Sequence, residues 1–308
     1  MGAPADVPSG ADTSWGHVDF RSHAQIRQHP RFREAEHALI DGLASLYGDD
    51  PRLVRNLTEF VPAVVFMVIV CLDAAYEAGQ SETFVTLARL RSTLKAMGIT
   101  HERRIADIVK SLELDGFLTR DVLPNNRRTH LLRPTEKMLA TDRDWLAVFH
   151  APLAILYPAD RAFQAAMARD PTYQQAYRRV SLSTLSFADK ITRENPVISF
   201  FLGFNAGIRV LVVLAAAVRD KTPLRTEPGF YTAAARRAGV SRTHVGNVIR
   251  QAADQDLVAL SQPAGLFVEM KPVLAGALSQ WISDSLSGVD LVARLALAQI
   301  DTPPPDAV

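Results

Sequence analysis

Residues 98–118 read Gly98-Ile-Thr-His-Glu-Arg-Arg-Ile-Ala-Asp-Ile-Val-Lys-Ser-Leu-Glu-Leu-Asp-Gly-Phe-Leu118, and residues 239–258 read Gly239-Val-Ser-Arg-Thr-His-Val-Gly-Asn-Val-Ile-Arg-Gln-Ala-Ala-Asp-Gln-Asp-Leu-Val258. Each stretch begins with a glycine that closes a helix, and a hydroxyl residue then precedes an amphipathic helix that runs into a strand. This order predicts a helix-turn-helix. Because the pattern occurs twice in one chain, we expect a covalent pseudo-dimer.

The inward faces of the two predicted recognition helices, about 101–115 and 242–255, match almost position for position. At 100° per residue the apolar positions fall on one side of each helix. They are Ile105, Ile108, Val109 and Leu112 in the first helix and Val245, Val248, Ile249 and Ala252 in the second. Thr100 and Ser241 are the predicted N-caps, since their hydroxyls can accept from free amides of the first turn.

The outward faces carry side chains that suit a DNA major groove. Arginine can donate to guanine, asparagine can pair with adenine, and threonine can touch a thymine methyl group. The candidate DNA contacts are Thr100, His101, Arg103, Arg104, Asp107 and Lys110 in the first helix and Ser241, Arg242, Thr243, His244, Asn247 and Arg250 in the second. Asp107 repels phosphate unless it accepts from cytosine or orients a neighbouring arginine. The alternative is that these faces are only the solvated sides of amphipathic helices.

A predicted hairpin follows each recognition helix. In the first, strands at about 117–123 and 128–133 flank a tip with Asn126, Arg127 and Arg128, which would place arginine against the DNA backbone or minor groove. The second hairpin, about 257–271, has no basic residue at its tip. We therefore expect the first head to hold DNA more strongly.

This combination of apolar helix, helix-turn-helix, hairpin and long return helix resembles winged-helix bacterial repressors of the MarR type. The stretches that carry the resemblance are Gly239 to Val245 and the wing region Leu118 to Thr135. The resemblance implies a dimer-like pairing of the two heads and a small-molecule effector between the dimer helices and the reading heads. The chain departs from the pattern because two copies are fused, the first turn has one extra residue and the second wing is uncharged.

The sequence predicts a mainly α fold with small β-hairpin wings, in which two winged-helix domains form a pseudo-twofold arrangement. We expect a disordered N-terminal segment (1–30) and a first winged-helix domain with flanking helices (31–157). A helical connector (158–195), a second winged-helix domain (196–300) and a disordered tail (301–308) follow. One apolar helix is expected over about 196–218. Trp145 and Trp281 stand at matching positions of the two return helices, where we expect them to anchor the core.

The composition and charge distribution of the chain favour some classes of protein function and exclude others. The net charge is only +1, but residues 86–137 carry eleven Lys or Arg against six Asp or Glu, as local phosphate binding would need. A single cysteine, Cys71, and no secretory signal favour a reducing cytoplasm. Phe60 to Leu72 is too short to span a bilayer, and Arg209 disfavours insertion of the apolar run at 197–218. Catalytic and phosphate-loop motifs are absent, so we expect no enzyme, metal or cofactor.

The sequence thus predicts a sequence-specific transcriptional regulator of a bacterial cytoplasm, with double-stranded DNA as its partner. Both recognition helices would enter successive major grooves, and further association of two chains stays open. The main alternative is a winged-helix module that assembles protein complexes with little specific DNA binding. The neutral second wing and the modest net charge favour that alternative.

Overall fold

The computed structural model describes residues 18–46, 59–123, 126–184, 191, 194–261 and 266–302, and the side chains of residues 123 and 126–128 are outside this description. The protein is mainly helical, and its described part contains two small antiparallel two-stranded sheets. The elements of the first half are α1 (His23–Gln28), α2 (Phe32–Ser45), α3 (Phe60–Ala74), α4 (Leu87–Ala96), α5 (Glu102–Leu114), β1 (Leu118–Leu123), β2 (Asn126–Pro134) and α6 (Glu136–Leu156). Those that follow are α7 (Arg161–Met167), α8 (Pro171–Ser181), α9 (Pro196–Leu202), α10 (Gly207–Val218), α11 (Phe230–Ala238), α12 (Arg242–Asp254), β3 (Val258–Leu260), β4 (Val268–Met270) and α13 (Pro272–Asp301).

The same order of elements occurs twice, from α3 to α6 and from α10 to α13. Each hairpin also bonds to an extended segment between the apolar helix and the helix-turn-helix. In the first half the Leu132 amide donates to the Val85 carbonyl at 2.7 Å, and in the second the Thr226 amide donates to the Val268 carbonyl at 2.9 Å. The predicted helices of both helix-turn-helix motifs and both predicted hairpins are confirmed, with ends within a few residues of the expected ones.

Two apolar clusters make up the core. The smaller one joins α3, α4 and α5 to the first hairpin and the start of α6. The larger one joins α10 to α13 with α1, α2, the later part of α6 and the connector helices α7 and α8. The predicted first domain, 31–157, includes α2. In the structure α2 packs against α10 of the second repeat as well as against α6. The apolar face of α2 is covered by both halves of the chain.

The predicted disorder of residues 1–30 is wrong for residues 18–30. Ser22 caps α1 through a reciprocal bond with Gln25, and Ile26 is fully buried. The Arg21 amide and guanidinium donate to the carboxylate of Asp290 on α13 at 2.7 and 2.9 Å. These charge-assisted bonds and the burial of Ile26 hold the segment in place. Residues 1–17 lie outside the described residues, as do residues 303–308 of the predicted tail.

The predicted single helix over 196–218 is also wrong, since α9 and α10 meet at 116°. The break follows from the turn between them. Ala206 has a left-handed φ of 51°, and a Cβ added to Gly207 would lie 2.0 Å from the Phe201 carbonyl oxygen. Only glycine permits this close approach of backbone. Within the described ranges no single helix has the length and apolar character to cross a membrane, and only the bent pair α9 and α10 meets that test jointly.

Candidate nucleic-acid interface

The recognition helix of the second repeat, α12, is capped as predicted. Gly239 ends α11 with a left-handed φ of 68°, which glycine adopts without a steric penalty. The Ser241 hydroxyl then accepts from the His244 amide at 3.1 Å. This bond satisfies one of the free amides of the first helical turn. The Ser241 side chain is therefore engaged within the helix.

The predicted capping role of Thr100 in the first repeat is wrong. Helix α5 begins at Glu102, so His101 is the N-cap residue, and its side chain makes no capping bond. The turn after Gly98 contains one more residue than the turn after Gly239, while Ile99 is buried beneath it. Because of the extra residue, Thr100 lies one position before the N-cap residue of α5. Thr100 and His101 both remain exposed at this turn.

The inward faces of both helices are confirmed. Ile105, Val109 and Leu112 of α5 are at most 1% exposed, and Ile108 is half-buried. The corresponding α12 residues are fully buried, and they are Val245, Val248, Ile249 and Ala252. Burial of each apolar stripe fixes which side of the helix faces solvent. The opposite sides are therefore available to a partner.

The structure places most of the predicted contact residues on these exposed sides. Arg103, Asp107 and Lys110 are exposed on α5, and Arg242, Thr243, Asn247 and Arg250 are exposed on α12. On α12 the Arg250 guanidinium donates to the Asn247 side-chain oxygen at 3.0 Å. This bond orients the arginine along the exposed face. Asn247 keeps its amide group as a donor.

Arg104 and His244 instead bond to residues outside their own helices. They are the third residues of α5 and α12. The Arg104 guanidinium donates to the Glu59 carboxylate at 2.6 Å, just before α3 begins. The His244 Nε2 atom lies 2.8 Å from the Asn205 carbonyl oxygen, just before α10 begins. Each recognition helix is thus tied to the start of the apolar helix of its own repeat.

The two exposed faces differ in charge. Helix α5 contains Arg103, Arg104 and Lys110, but it also contains Glu102, Asp107 and Glu113. Helix α12 carries arginine at 242 and 250 and has its one carboxylate, Asp254, at its last position. A phosphate or base edge near α12 therefore meets less opposing negative charge. Helix α12 thus has the less acidic exposed face of the two.

Two basic residues that the sequence reasoning did not single out lie beside α12. Arg236 and Arg237 are exposed in the last turn of α11, immediately before the Gly239 turn. Cations are favoured there because the helix C-terminus carries partial negative charge. The adjacent arginine pair directly before the turn was the available signal. Together with Arg242 they extend the basic surface across both helices of this motif.

The first hairpin is longer than the second. Strands β1 and β2 pair from Leu118 with Pro134 to Leu123 with Asn126, whereas β3 and β4 pair over three residues each. The backbone of Asn126, Arg127 and Arg128 belongs to β2, but their side chains lie outside the described part of the structure. Residues 262–265 at the second tip also lie outside it. Both predicted hairpins are confirmed as backbone elements.

Within the described residues no group of three His, Cys, Asp or Glu side chains could hold a metal ion. Comparison of the chain with protein-family models, with curated proteins and with solved structures finds no match.

Proposed function

We propose that the protein is a sequence-specific DNA-binding regulator of transcription, whose chain carries two winged-helix reading heads in a pseudo-twofold arrangement. The observation that carries this proposal is the repeated helix-turn-helix, each with an exposed polar recognition helix and an adjoining hairpin. In both repeats the third residue of the recognition helix bonds to the start of the apolar helix. A link of this kind helps a helix to present base contacts in a fixed register.

In the proposed complex α12 makes the principal base contacts. Arg250 donates to guanine, with Asn247 holding its guanidinium in the plane of the base. Arg236, Arg237 and Arg242 contact phosphates on either side of the groove. In α5 the corresponding base contacts are Arg103 and Lys110, and Asp107 restricts the accepted sequence.

Because the two exposed faces differ, the proposed target has two unlike half-sites about one helical turn apart. Selection of bound duplexes from a random-sequence library, followed by footprinting of the winning sequence, tests this. We expect two protected segments of different sequence. A perfect inverted repeat with equal protection of both halves would count against unlike half-sites, and failure to enrich any sequence would refute specific DNA binding.

Point variants test which residues of the protein contact the DNA. Arg250→Ala should weaken binding to the selected duplex by about tenfold or more, since a good bidentate arginine–guanine pair contributes about 1–3 kcal/mol. Arg33→Ala on α2 is the matched control, because Arg33 is an exposed arginine on a helix that belongs to neither helix-turn-helix. Its affinity should stay within twofold of the parent protein. Equal losses in the two variants would indicate non-specific electrostatic attraction only.

An assembly role is favoured by one observation on the first head. Leu114, at the end of α5, is 77% exposed, and the charges along that helix balance. An exposed leucine beside a balanced charged face suits a protein partner better than a phosphate backbone. DNA selection could enrich only one half-site, and variants of α12 could abolish binding to it. The first head would then serve protein assembly and not DNA binding.

A further inference from the structure

A cavity of about 250 Å³ lies between α3, α6, the connector helix α8 and α13. It is separated from a neighbouring cavity of about 230 Å³, near the starts of α3 and α10, by Trp145, Phe149 and Trp281, which line both. Trp145 and Trp281 are the tryptophans at matching positions of the two return helices. The cavity therefore lies where the two repeats meet the connector, and not at either recognition helix.

One wall of this connector cavity is polar and comes from α8 and the turn that follows it. Tyr177, Arg178, Ser181 and Thr184 line that wall. The Ser181 hydroxyl donates to the Tyr177 carbonyl at 2.7 Å, and the Thr184 hydroxyl donates to the Ser181 carbonyl at 3.1 Å. Because both hydroxyl protons are used, their oxygens can only accept from a further group. These two oxygens therefore suit a ligand that carries an N–H or O–H donor.

The charge on the same wall is already balanced. The Arg178 guanidinium donates to the Asp142 carboxylate at 3.0 and 2.7 Å, and both side chains are at least 95% buried. A ligand carboxylate would lose its hydration without gaining an unoccupied cation. The cavity thus favours a neutral molecule.

The remaining walls are mostly apolar and aromatic. Small residues on α13 leave space between them. On α13 the cavity is lined by Trp281, Ser285, Gly288 and Val292, which share one helical face. A packed core helix carries large side chains at such positions, but serine and glycine here leave room between two flat aromatic walls. Apolar cavities smaller than this one, of roughly 150 Å³, accommodate a benzene ring.

We propose that the connector cavity binds a neutral molecule of one or two fused aromatic rings with one hydroxyl or N–H donor. The rings lie against Trp145, Phe149 and Trp281, and the donor bonds to the hydroxyl oxygen of Ser181. This site goes beyond the proposed DNA binding, and no residue of either recognition helix is among those that line the cavity.

Calorimetric titration of the full chain with 2-naphthol and with 2-naphthoate tests the ligand class. The two probes share a ring system and differ in charge. We expect 2-naphthol to bind with one equivalent per chain and 2-naphthoate to bind at least tenfold more weakly. No saturable binding of 2-naphthol, or tighter binding of 2-naphthoate, would overturn the proposal. Since these titrations contain no DNA, their outcome is independent of the proposed regulatory function.

Two filling variants test the location. Ser285→Leu extends a side chain into the connector cavity, and Ala63→Leu makes a matched change in the neighbouring cavity. We expect Ser285→Leu to weaken 2-naphthol binding at least tenfold and Ala63→Leu to leave it within twofold. The reverse pattern would overturn the assignment. Ser181→Ala removes one acceptor without filling space and should weaken binding about threefold, so an unchanged affinity in this variant would also contradict the proposal.

Discussion

The His244 Nε2 atom lies 2.8 Å from the carbonyl oxygen of Asn205, and this contact joins the second recognition helix to the turn before α10. The carbonyl can only accept, so Nε2 carries the proton and donates. The first repeat makes the equivalent link with different chemistry, through Arg104 and Glu59. The two repeats have therefore kept the position of the link while changing the residues that form it.

We predict that His244→Ala lowers the free energy of unfolding by about 1 kcal/mol, the usual contribution of one intramolecular hydrogen bond. Loss of the link should also loosen α12 against α10 and weaken binding to the selected duplex. Urea denaturation measures the first effect and fluorescence anisotropy the second. His244→Gln, whose amide can still donate, should recover much of both losses. If alanine and glutamine behave alike, the bond has no positioning role.

The bond between Arg250 and Asn247 gives a second prediction. If Asn247 acts by orienting Arg250, the two residues contribute to DNA affinity as a unit. In a double-mutant cycle, Asn247→Ala should weaken binding in the presence of Arg250 and have much less effect once Arg250 is alanine. We expect a coupling energy of about 1 kcal/mol. Additive losses would show that each side chain contacts DNA independently.

The repeat was predictable from sequence because it rests on local chemistry. Glycine turns, the Ser241 cap and the helical spacing of apolar residues are all short-range features, and the structure bears them out. The Thr100 cap was wrong for an equally local reason, since one extra residue in the turn moved the helix start to Glu102.

What sequence reasoning missed depends on contacts between distant residues. The order in residues 18–30 comes from Arg21 bonding to Asp290 on the last helix, and no local pattern indicates that pairing. The break between α9 and α10 depends on the approach of Gly207 to the Phe201 carbonyl. Likewise, an outward position on a helical wheel does not distinguish Arg104, which bonds Glu59, from Arg103.

The wing supplies a third prediction. Arg127→Ala combined with Arg128→Ala should weaken binding to all duplexes by a similar factor, because arginine at a wing tip contacts backbone or minor groove. The slope of log affinity against log salt concentration should fall by about one to two, since each lost phosphate contact removes about 0.9. Titrations at several salt concentrations provide the measurement. An unchanged slope would remove the wing from the DNA interface.

The buried pair of Arg178 and Asp142 joins the connector to α6. We predict that Arg178→Met lowers the free energy of unfolding by about 3–5 kcal/mol, because it leaves the Asp142 carboxylate buried without its cation. The double variant with Asp142→Leu should recover most of this loss. Arg33→Met is the control, since it breaks an exposed pair with Asp220 and should cost less than about 1 kcal/mol. Equal losses in the two single variants would contradict the assigned burial.

We predict that His150 makes the stability of the protein dependent on pH. Its ring is fully buried, with Nδ1 2.7 Å from the Leu146 carbonyl and Nε2 2.8 Å from the Tyr173 hydroxyl. The carbonyl requires a proton on Nδ1, so the neutral ring accepts from Tyr173 through Nε2. Burial is the main cause that lowers the pKa of His150 to about 4 from an ordinary 6.5.

The direction of the effect follows from proton uptake. On acidification the unfolded chain binds a proton at His150 first, while the folded protein stays neutral there until about pH 4. Stability due to this group is therefore complete above about pH 7 and is lost as the pH falls toward 4. Between pH 7.5 and pH 5 the loss should be about 2 kcal/mol. His150→Gln keeps a polar side chain without titration, and urea denaturation of both proteins at the two pH values should show a smaller loss in the variant. Equal losses would mean that His150 is protonated in the folded protein near its ordinary pKa.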